Sequence, residues 1–284
     1  MNLENALNKA SQTLFKSNIK SSLLDSEILM SKAINKDRKF IISNLRKVID
    51  MKFLNYFNKL VSERASGKPI SYILGTKEFW NFKFKIIDDV LIPRPDTEIL
   101  VEEALKITKY KKKLKILDIG VGSGCILLSL LKEREDFRGI GIDFNKKCID
   151  LSRLNAQSLN IENRVKFLKR DIDNFNYGKY DLIVSNPPYI KQIDLKYLDK
   201  DIKYFEPRSA LNGGLDGLSE IRKVINKSSE LIKLNGRLIL EIGFDQKLKV
   251  KQILINKGFF INKIVKDYAK NDRCIICTKT KSNN

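Results

Sequence analysis

Histidine does not occur in this chain of 284 residues. That removes Ser-His-Asp triads, His-Glu-x-x-His zinc sites and histidine general bases from the chemistry open to it. Cysteine is scarce, at positions 125, 148, 274 and 277. Cys274 and Cys277 have Cys-x-x-Cys spacing inside a β-branched run, where residues three apart point to opposite faces of a strand. With no second pair and no histidine, no metal site is expected. Long apolar runs are missing too: none approaches the roughly 18–20 residues of a membrane span. The opening Met1-Asn2-Leu3-Glu4-Asn5 has no basic stretch followed by an apolar one, so no signal segment is read there. These absences lead to the expectation of a reduced, cytoplasmic protein that engages no membrane.

Acidic residues are also in short supply, with 34 Asp and Glu against 54 Lys and Arg, a net charge of +20. The excess fits a polyanionic partner such as nucleic acid. It fits equally the Lys-, Asn- and Ile-rich usage of an AT-rich genome. The charge is spread: residues 1–75 carry 13 basic and 6 acidic side chains, and the remainder 41 and 28. The densest run, Lys109-Tyr110-Lys111-Lys112-Lys113, reads as the solvated entry to an apolar strand. Apolar residues at 43% and charged residues at 31% describe a globular chain with one or two domains and a core that needs no staples.

The apolar period changes along the chain. Leu3, Ala6, Leu7, Ala10 and Leu14 recur at helical spacing. Ser22 with Asp25 resembles a capping box opening a second helix. Phe53, Leu54, Phe57, Leu60 and Val61 form another stripe before Gly67 and Pro69 stop the pattern. Residues 1–75 therefore read as a small helical domain. In the linker, 76–97, Trp80, Phe82, Phe84 and Ile86 alternate with polar residues, Asp88-Asp89 makes a turn, and Val90-Leu91-Ile92 returns as a second strand. Asp96 or Thr97 then caps a helix over 98–108.

Within 98–284, strands are expected at 114–119, 138–142, 165–169, 181–185 and 236–242, with helices near 124–134, 146–158 and 217–233. The alternation predicts an α/β fold with a mainly parallel, doubly wound sheet. Phe259–Lys266 and Arg273–Lys279 add a C-terminal antiparallel hairpin at one edge.

Two segments carry chemistry. Asp118-Ile119-Gly120-Val121-Gly122-Ser123-Gly124 leaves a strand and opens a helix, and its glycines allow a tight turn and close approach to a ligand. Asp143 ends the next strand, where a carboxylate can accept both ribose hydroxyls of an adenosine. The spacing is Gly-x-Gly-x-Gly, and Cys125 stands where a dinucleotide fold needs its last glycine. That favours S-adenosyl-L-methionine over a dinucleotide. Ile172, after the third strand, would pack on the adenine, and Asp171 would meet its amine.

The second segment, Ser185-Asn186-Pro187-Pro188-Tyr189, ends an apolar strand where ligands of open α/β sheets bind. Pro187 and Pro188 remove two backbone donors and leave a row of acceptors, with the Asn186 carboxamide oxygen and the flat ring of Tyr189 beside them. Such a set suits a planar –NH2 group that must be held and methylated. Two acceptors favour the pyramidal, partly cationic nitrogen formed during attack, and no histidine base is needed. On this reading Asp at 186 keeps an acceptor and should work better than Ala.

The whole chain resembles the N5-glutamine methyltransferases of peptide-chain release factors, the HemK/PrmC family. The resemblance rests on Gly67–Gly75, on Val90-Leu91-Ile92-Pro93-Arg94-Pro95-Asp96-Thr97-Glu98, on Asn186–Tyr189, on Phe205–Leu211 with Gly213–Leu218, and on Asp267 with Asp272-Arg273. It implies a Rossmann-like class I methyltransferase fold over residues 98–284, and a substrate-docking role for residues 1–75. It implies that Gly120, Val121, Gly122, Ser123 and Gly124 wrap the methionine moiety, that Asp143 holds the ribose and Ile172 the adenine. Asn186 would lie between cofactor and substrate, and Asn186, Pro187, Pro188 and Tyr189 would grip the glutamine side chain, with Asn186, Pro187 and Tyr189 closest to the chemistry. The implied substrate is the Gly-Gly-Gln glutamine of a release factor, and nucleic acid is not required. Ile172 stands where the family often has a bulky aromatic, and Phe205 where it often has Tyr.

The same four-residue grip serves N6-adenine nucleic-acid methyltransferases, which flip the base into it. The charge favours that reading, while the Ile92–Glu98 signature and the helical N-terminus oppose it. A ribosomal-protein glutamine methyltransferase shares the chemistry but typically lacks the Arg-Pro-Asp-Thr-Glu segment. A non-catalytic ribosome-binding protein would not need an intact cofactor loop.

Overall fold

The computed structural model describes residues 1–280, which divide into two compact units. The first comprises Met1–Thr76 together with Asp199–Phe205. Its helices are α1 (Leu3–Lys16), α2 (Ser22–Ile34), α3 (Arg38–Ser43), α4 (Met51–Ala65) and the single turn α5 (Ile70–Leu74). The α1 stripe is buried in full, and it meets Leu29 and Met30 of α2 and Leu54, Phe57 and Leu60 of α4 in one apolar cluster. Phe53, expected in the α4 stripe, faces outward.

The capping box does not form. Ser21 occupies the N-cap position of α2 without a side-chain bond, and Asp25 turns inward. Its carboxylate accepts from Arg64 Nε at 2.7 Å, while Arg64 Nη1 donates to the Lys68 carbonyl at 3.0 Å. A buried pair outcompetes a cap here because a buried Arg64 without a carboxylate partner would leave an uncompensated charge in the core.

The second unit comprises Lys77–Leu198 and Glu206 onward. The strands β1 (Thr76–Phe79) and β2 (Phe82–Lys85) form a two-stranded ribbon. Its turn lies at Trp80-Asn81; Asp88-Asp89 forms a turn as expected, but Val90–Ile92 after it is not a strand. Trp80 takes φ +55°, a conformation its bulk disfavours. Glu98 accepts its backbone N–H at 2.8 Å and Glu133 its indole N–H at 2.7 Å, so long-range carboxylates fix the turn. The alternation holds in part: Phe84 and Ile86 are buried, Trp80 and Phe82 half-buried, and Phe79, before the turn, is buried edge to face with Phe84 at 6.2 Å.

The rest alternates strands and helices: α6 (Glu98–Ile107), β3 (Lys115–Ile119), α7 (Cys125–Glu133), β4 (Arg138–Asp143), α8 (Lys146–Ser158), β5 (Val165–Lys169) and β6 (Tyr180–Ser185). Then come α9 (Lys200–Phe205), which belongs to the first unit, α10 (Ser219–Leu231), β7 (Ile232–Glu241), α11 (Lys247–Asn256), β8 (Phe259–Lys266) and β9 (Asp272–Lys279). The sheet has seven strands in the order β5-β4-β3-β6-β7-β9-β8. The β3–β7 strands run parallel, and β9 pairs antiparallel with both β7 and β8. This is the doubly wound sheet with an antiparallel C-terminal hairpin. Leu117, Ile119, Ile183, Leu238 and Leu240 pack with Ile221, Ile225, Val250 and Leu254 of α10 and α11. Cys277 joins that cluster, whereas Cys274 pairs in register with Glu241. Among the described residues no helix is long and apolar enough to cross a membrane.

Candidate active site

Strand register sets the site. Ile119 of β3 lies opposite Ser185 of β6, and Ser185 Oγ donates to the Ile119 carbonyl at 2.7 Å. The glycine loop and Asn186 therefore leave the sheet abreast, at the point where strand order reverses, which is where open α/β sheets bind ligands. A cavity of about 580 Å³ opens there. Gly120, Gly122, Asp143, Ile172, Asn186, Pro187 and Pro188 line it.

The backbone of the loop explains its glycines. Gly120 and Gly122 have φ of +76° and +55°, and a Cβ on either would project into open space and meet no atom within 4 Å. The loop is tied from behind: Ser152 Oγ donates to the Gly122 carbonyl at 2.9 Å, and Asn155 Nδ2 to the Ser123 carbonyl at 2.8 Å. Asp143 closes the front. Its Oδ2 accepts from the Gly122 N–H at 3.1 Å and its Oδ1 from the Asn145 N–H at 2.9 Å. Burial raises the Asp143 pKa, and the two backbone donors oppose that rise. Beneath the loop, Asp118 is 1% exposed, neither carboxylate oxygen has a hydrogen bond among the described residues, and burial pushes its pKa up to about 8.

Asn186 is oriented by a partner distant in sequence. Its Nδ2 donates to Thr97 Oγ1 at 3.0 Å, and Thr97 donates in turn to Glu241 Oε2 at 2.7 Å. The Tyr189 hydroxyl lies 3.3 Å from Glu241 Oε1 and 3.3 Å from Arg273 Nη1. Arg273 is anchored on Asp267 at 2.9 Å. Glu241 is buried, and that burial raises its pKa to about 7 against the opposing pull of Thr97, Arg273 and Tyr189.

Residues 5–75 match the family model described as the PrmC N-terminal domain, and residues 110–281 match a methyltransferase domain. The release factor glutamine methyltransferase of Clostridium acetobutylicum is 37% identical over 98% of this chain and 99% of its own length. That of Buchnera aphidicola subsp. Acyrthosiphon pisum is 38% identical, again over 98% and 99%. The chain belongs to the release factor glutamine methyltransferase family. Among solved structures, a methyltransferase from Pyrococcus furiosus aligns with TM-score 0.52 at 18% identity, over 69% of this chain and 88% of that one. The ribosomal protein L11 methylase of Lactobacillus delbrueckii subsp. bulgaricus aligns with TM-score 0.50 at 17% identity, over 66% and 80%. These two likenesses show the fold.

In this member of the release factor glutamine methyltransferase family, the sequence-predicted residues fall into three places. Gly120, Gly122, Asp143, Ile172, Asn186, Pro187 and Pro188 border the cavity. Val121, Ser123 and Gly124 build the loop from below: Val121 packs beside Gly141, and Gly124 precedes α7 at φ +84°. Tyr189 lies outside the cavity lining, against the core and the Glu241 carboxylate.

Three further residues escaped the sequence reading. Thr97, expected to cap α6, makes no capping bond, because its hydroxyl is committed to Glu241. Glu241 ends an apolar strand, which is the one signal it gives in sequence. Phe144, directly after Asp143, lines the cavity and is 57% exposed. The family-like blocks also gain a physical role: Glu206 pairs with Arg94 and accepts from the Ile92 N–H at 3.4 Å, so one buried carboxylate clasps the Ile92–Glu98 segment.

Proposed function

We propose that this protein transfers the methyl group of S-adenosyl-L-methionine to the side-chain amide nitrogen N5 of the Gly-Gly-Gln glutamine in peptide-chain release factors, modulating translation termination in the cytoplasm. The observation that carries this reading is the Asn186 carboxamide: it borders the cavity beside the glycine loop, and among the described residues its hydrogen bond uses the nitrogen, which leaves Oδ1 to accept. The residues present fit the cofactor. Cβ-free backbone at Gly120 and Gly122 leaves room for its amino-acid part, Asp143 suits the ribose, and Ile172 with Phe144 offers apolar walls to the adenine.

Bound there, S-adenosyl-L-methionine supplies a methyl carbon on a cationic sulfur that leaves as a neutral thioether when an amide nitrogen takes the methyl. The protein's own part is to hold that amide. Oδ1 of Asn186 accepts one N–H of the glutamine, and the carbonyl of Pro187, next to a residue without an N–H, accepts the other. Two acceptors draw the nitrogen out of amide resonance and stabilise the positive charge it gains. The extra proton then passes to solvent. The helical unit formed by residues 1–75 docks the protein substrate, since a lone glutamine pocket needs no such unit. Nucleic acid plays no part in this reading.

The test is methyl transfer from labelled cofactor to purified release factor, with the modified residue mapped by mass spectrometry. Label on the Gly-Gly-Gln glutamine is expected. Label only on a ribosomal protein or on adenine in nucleic acid overturns the proposal.

A further inference from the structure

We infer that Thr97 and Glu241 are positioning residues that hold the Asn186 carboxamide in the one orientation able to accept a hydrogen from a substrate amide. The inference rests on the function proposed above and adds the groups that make it directional. It follows from counting hydrogens. An ionised carboxylate only accepts, and a threonine hydroxyl has one hydrogen to give. Thr97 gives it to Glu241 Oε2 at 2.7 Å. Toward Asn186 the hydroxyl therefore presents lone pairs alone, and only Nδ2 can face them, at 3.0 Å. A flipped carboxamide would set oxygen against oxygen. Thr97 and Glu241 are 3% and 2% exposed, so no bulk water competes for these bonds.

The other end of the Asn-Pro-Pro-Tyr segment is held by the same carboxylate. Asp267 accepts twice from Arg273, at 2.9 and 3.2 Å. Arg273 donates to the Tyr189 oxygen at 3.3 Å, which frees the Tyr189 hydrogen for Glu241 Oε1 at 3.3 Å. Glu241 is thus the shared acceptor for both branches, and it stands at the tip of β7, next to β6, from which the segment departs. With Glu241 ionised, as it is above its raised pKa of about 7, the donor direction of every bond is fixed from Asp267 to Asn186.

Full-length Thr97→Val and Thr97→Ser decide the matter. Valine keeps the shape of threonine and deletes the hydroxyl, whereas serine keeps the hydroxyl. In single-turnover methylation of a release factor, Val is expected to lower the chemical step by about tenfold or more, with the KM for release factor and the cofactor Kd within about twofold of wild type. Ser is expected to stay within about threefold of wild type. A readout independent of activity is the side-chain 15N amide of Asn186. Its hydrogen on Thr97 should exchange slowly in wild type and Ser, and fast in Val.

A Val variant with wild-type chemistry overturns the inference, as does a Ser variant as impaired as Val. If Val fails to fold, the wild-type amide still decides: an Asn186 amide that exchanges as freely as a surface one overturns the proposal. Absence of methyl transfer by wild type would instead strike the proposed function, and the amide measurement would still test the orientation.

Discussion

Replacing Asp143 by Asn changes one atom of the carboxylate and removes its charge, and the structure says what that does. The two oxygens are each occupied by a backbone N–H, from Gly122 at 3.1 Å and from Asn145 at 2.9 Å. A carboxamide has one oxygen and one NH2. Whichever way it turns, its NH2 confronts a backbone N–H, so one of the two bonds is lost and one donor is left unpaired. A hydrogen bond to a charged group contributes about 1.5–3 kcal/mol. The loss falls on the loop that shapes the cavity, because the Gly122 N–H is one of the two at risk. The expected result in titration calorimetry is a cofactor Kd raised about 10- to 100-fold at 25 °C, at 1.4 kcal/mol per decade. Thermal melting should fall by roughly 3–10 °C, the scale for this loss in a domain of this size. Asp143→Ala removes both acceptors and should bind cofactor no better than the Asn variant. A fully folded Asn variant that binds cofactor within about twofold of wild type would refute the reasoning, since that leaves less than about 0.5 kcal/mol for the bond.

Three further outcomes are expected. Asn186→Ala should lower kcat by about 100-fold or more; Asn186→Asp should do no better, contrary to the sequence-based expectation, because its second oxygen would face the lone pairs of Thr97 Oγ1, and single-turnover rates compare the two. Arg64→Ala leaves the Asp25 carboxylate buried without its partner, so urea unfolding should show a loss of about 3–5 kcal/mol, and a loss under about 1 kcal/mol would count against a structural role for the pair. Burial raises the Glu241 pKa to about 7 and that of Asp118 to about 8, so between the ordinary carboxylate range and those values the folded state binds more protons than the unfolded one. Stability should therefore fall as pH rises from about 4 to 8, an effect that Asp118→Asn should flatten in thermal melts, and stability that rises across this window would contradict the shifts.

The parts of the fold that sequence reveals are those fixed by local pattern. The α1 stripe and the β3, β4, β5 and β6 strands lie where their periods put them, because each buries one face or both regardless of what it meets. The misses have a common cause. Trp80 turns the β1–β2 ribbon because Glu98 and Glu133 hold its two N–H groups, and nothing near Trp80 announces carboxylates 18 and 53 residues away. Asp88-Asp89 does turn, with Asp89 at φ +68° bordering the cavity, but the chain beyond it leads to the Ile92–Glu98 segment and forms no strand. The α11 helix escaped notice because only Val250 and Leu254 of its ten residues are buried, too thin a stripe to read. Gly120, Asp143 and Asn186 were legible for a different reason. Each sits at the tip of a strand whose apolar run stops abruptly, and a sheet of this topology gathers such tips at one edge.

The Ile92–Glu98 segment makes the same point about function. In sequence it is two prolines among charged residues, and no residue in it suggests chemistry. In the structure it is a clip with five partners. Arg94 pairs with Glu206, Asp96 lies 3.7 Å from Arg273, Thr97 bonds both Asn186 and Glu241, and Glu98 holds Trp80. The prolines fix φ at two of its seven positions, so less chain entropy is lost in presenting the side chains between them. The partners lie on the β1–β2 turn, the loop after β6, the segment before α10, the end of β7 and the start of β9. These elements bring the cavity wall, the glycine loop's neighbour and the C-terminal hairpin to one place. A segment that touches all of them, while contributing no atom to the chemistry, sets the aim of Asn186. Its separation from its partners, 89 residues for Asn186 and 144 for Glu241, is why only the folded chain shows it.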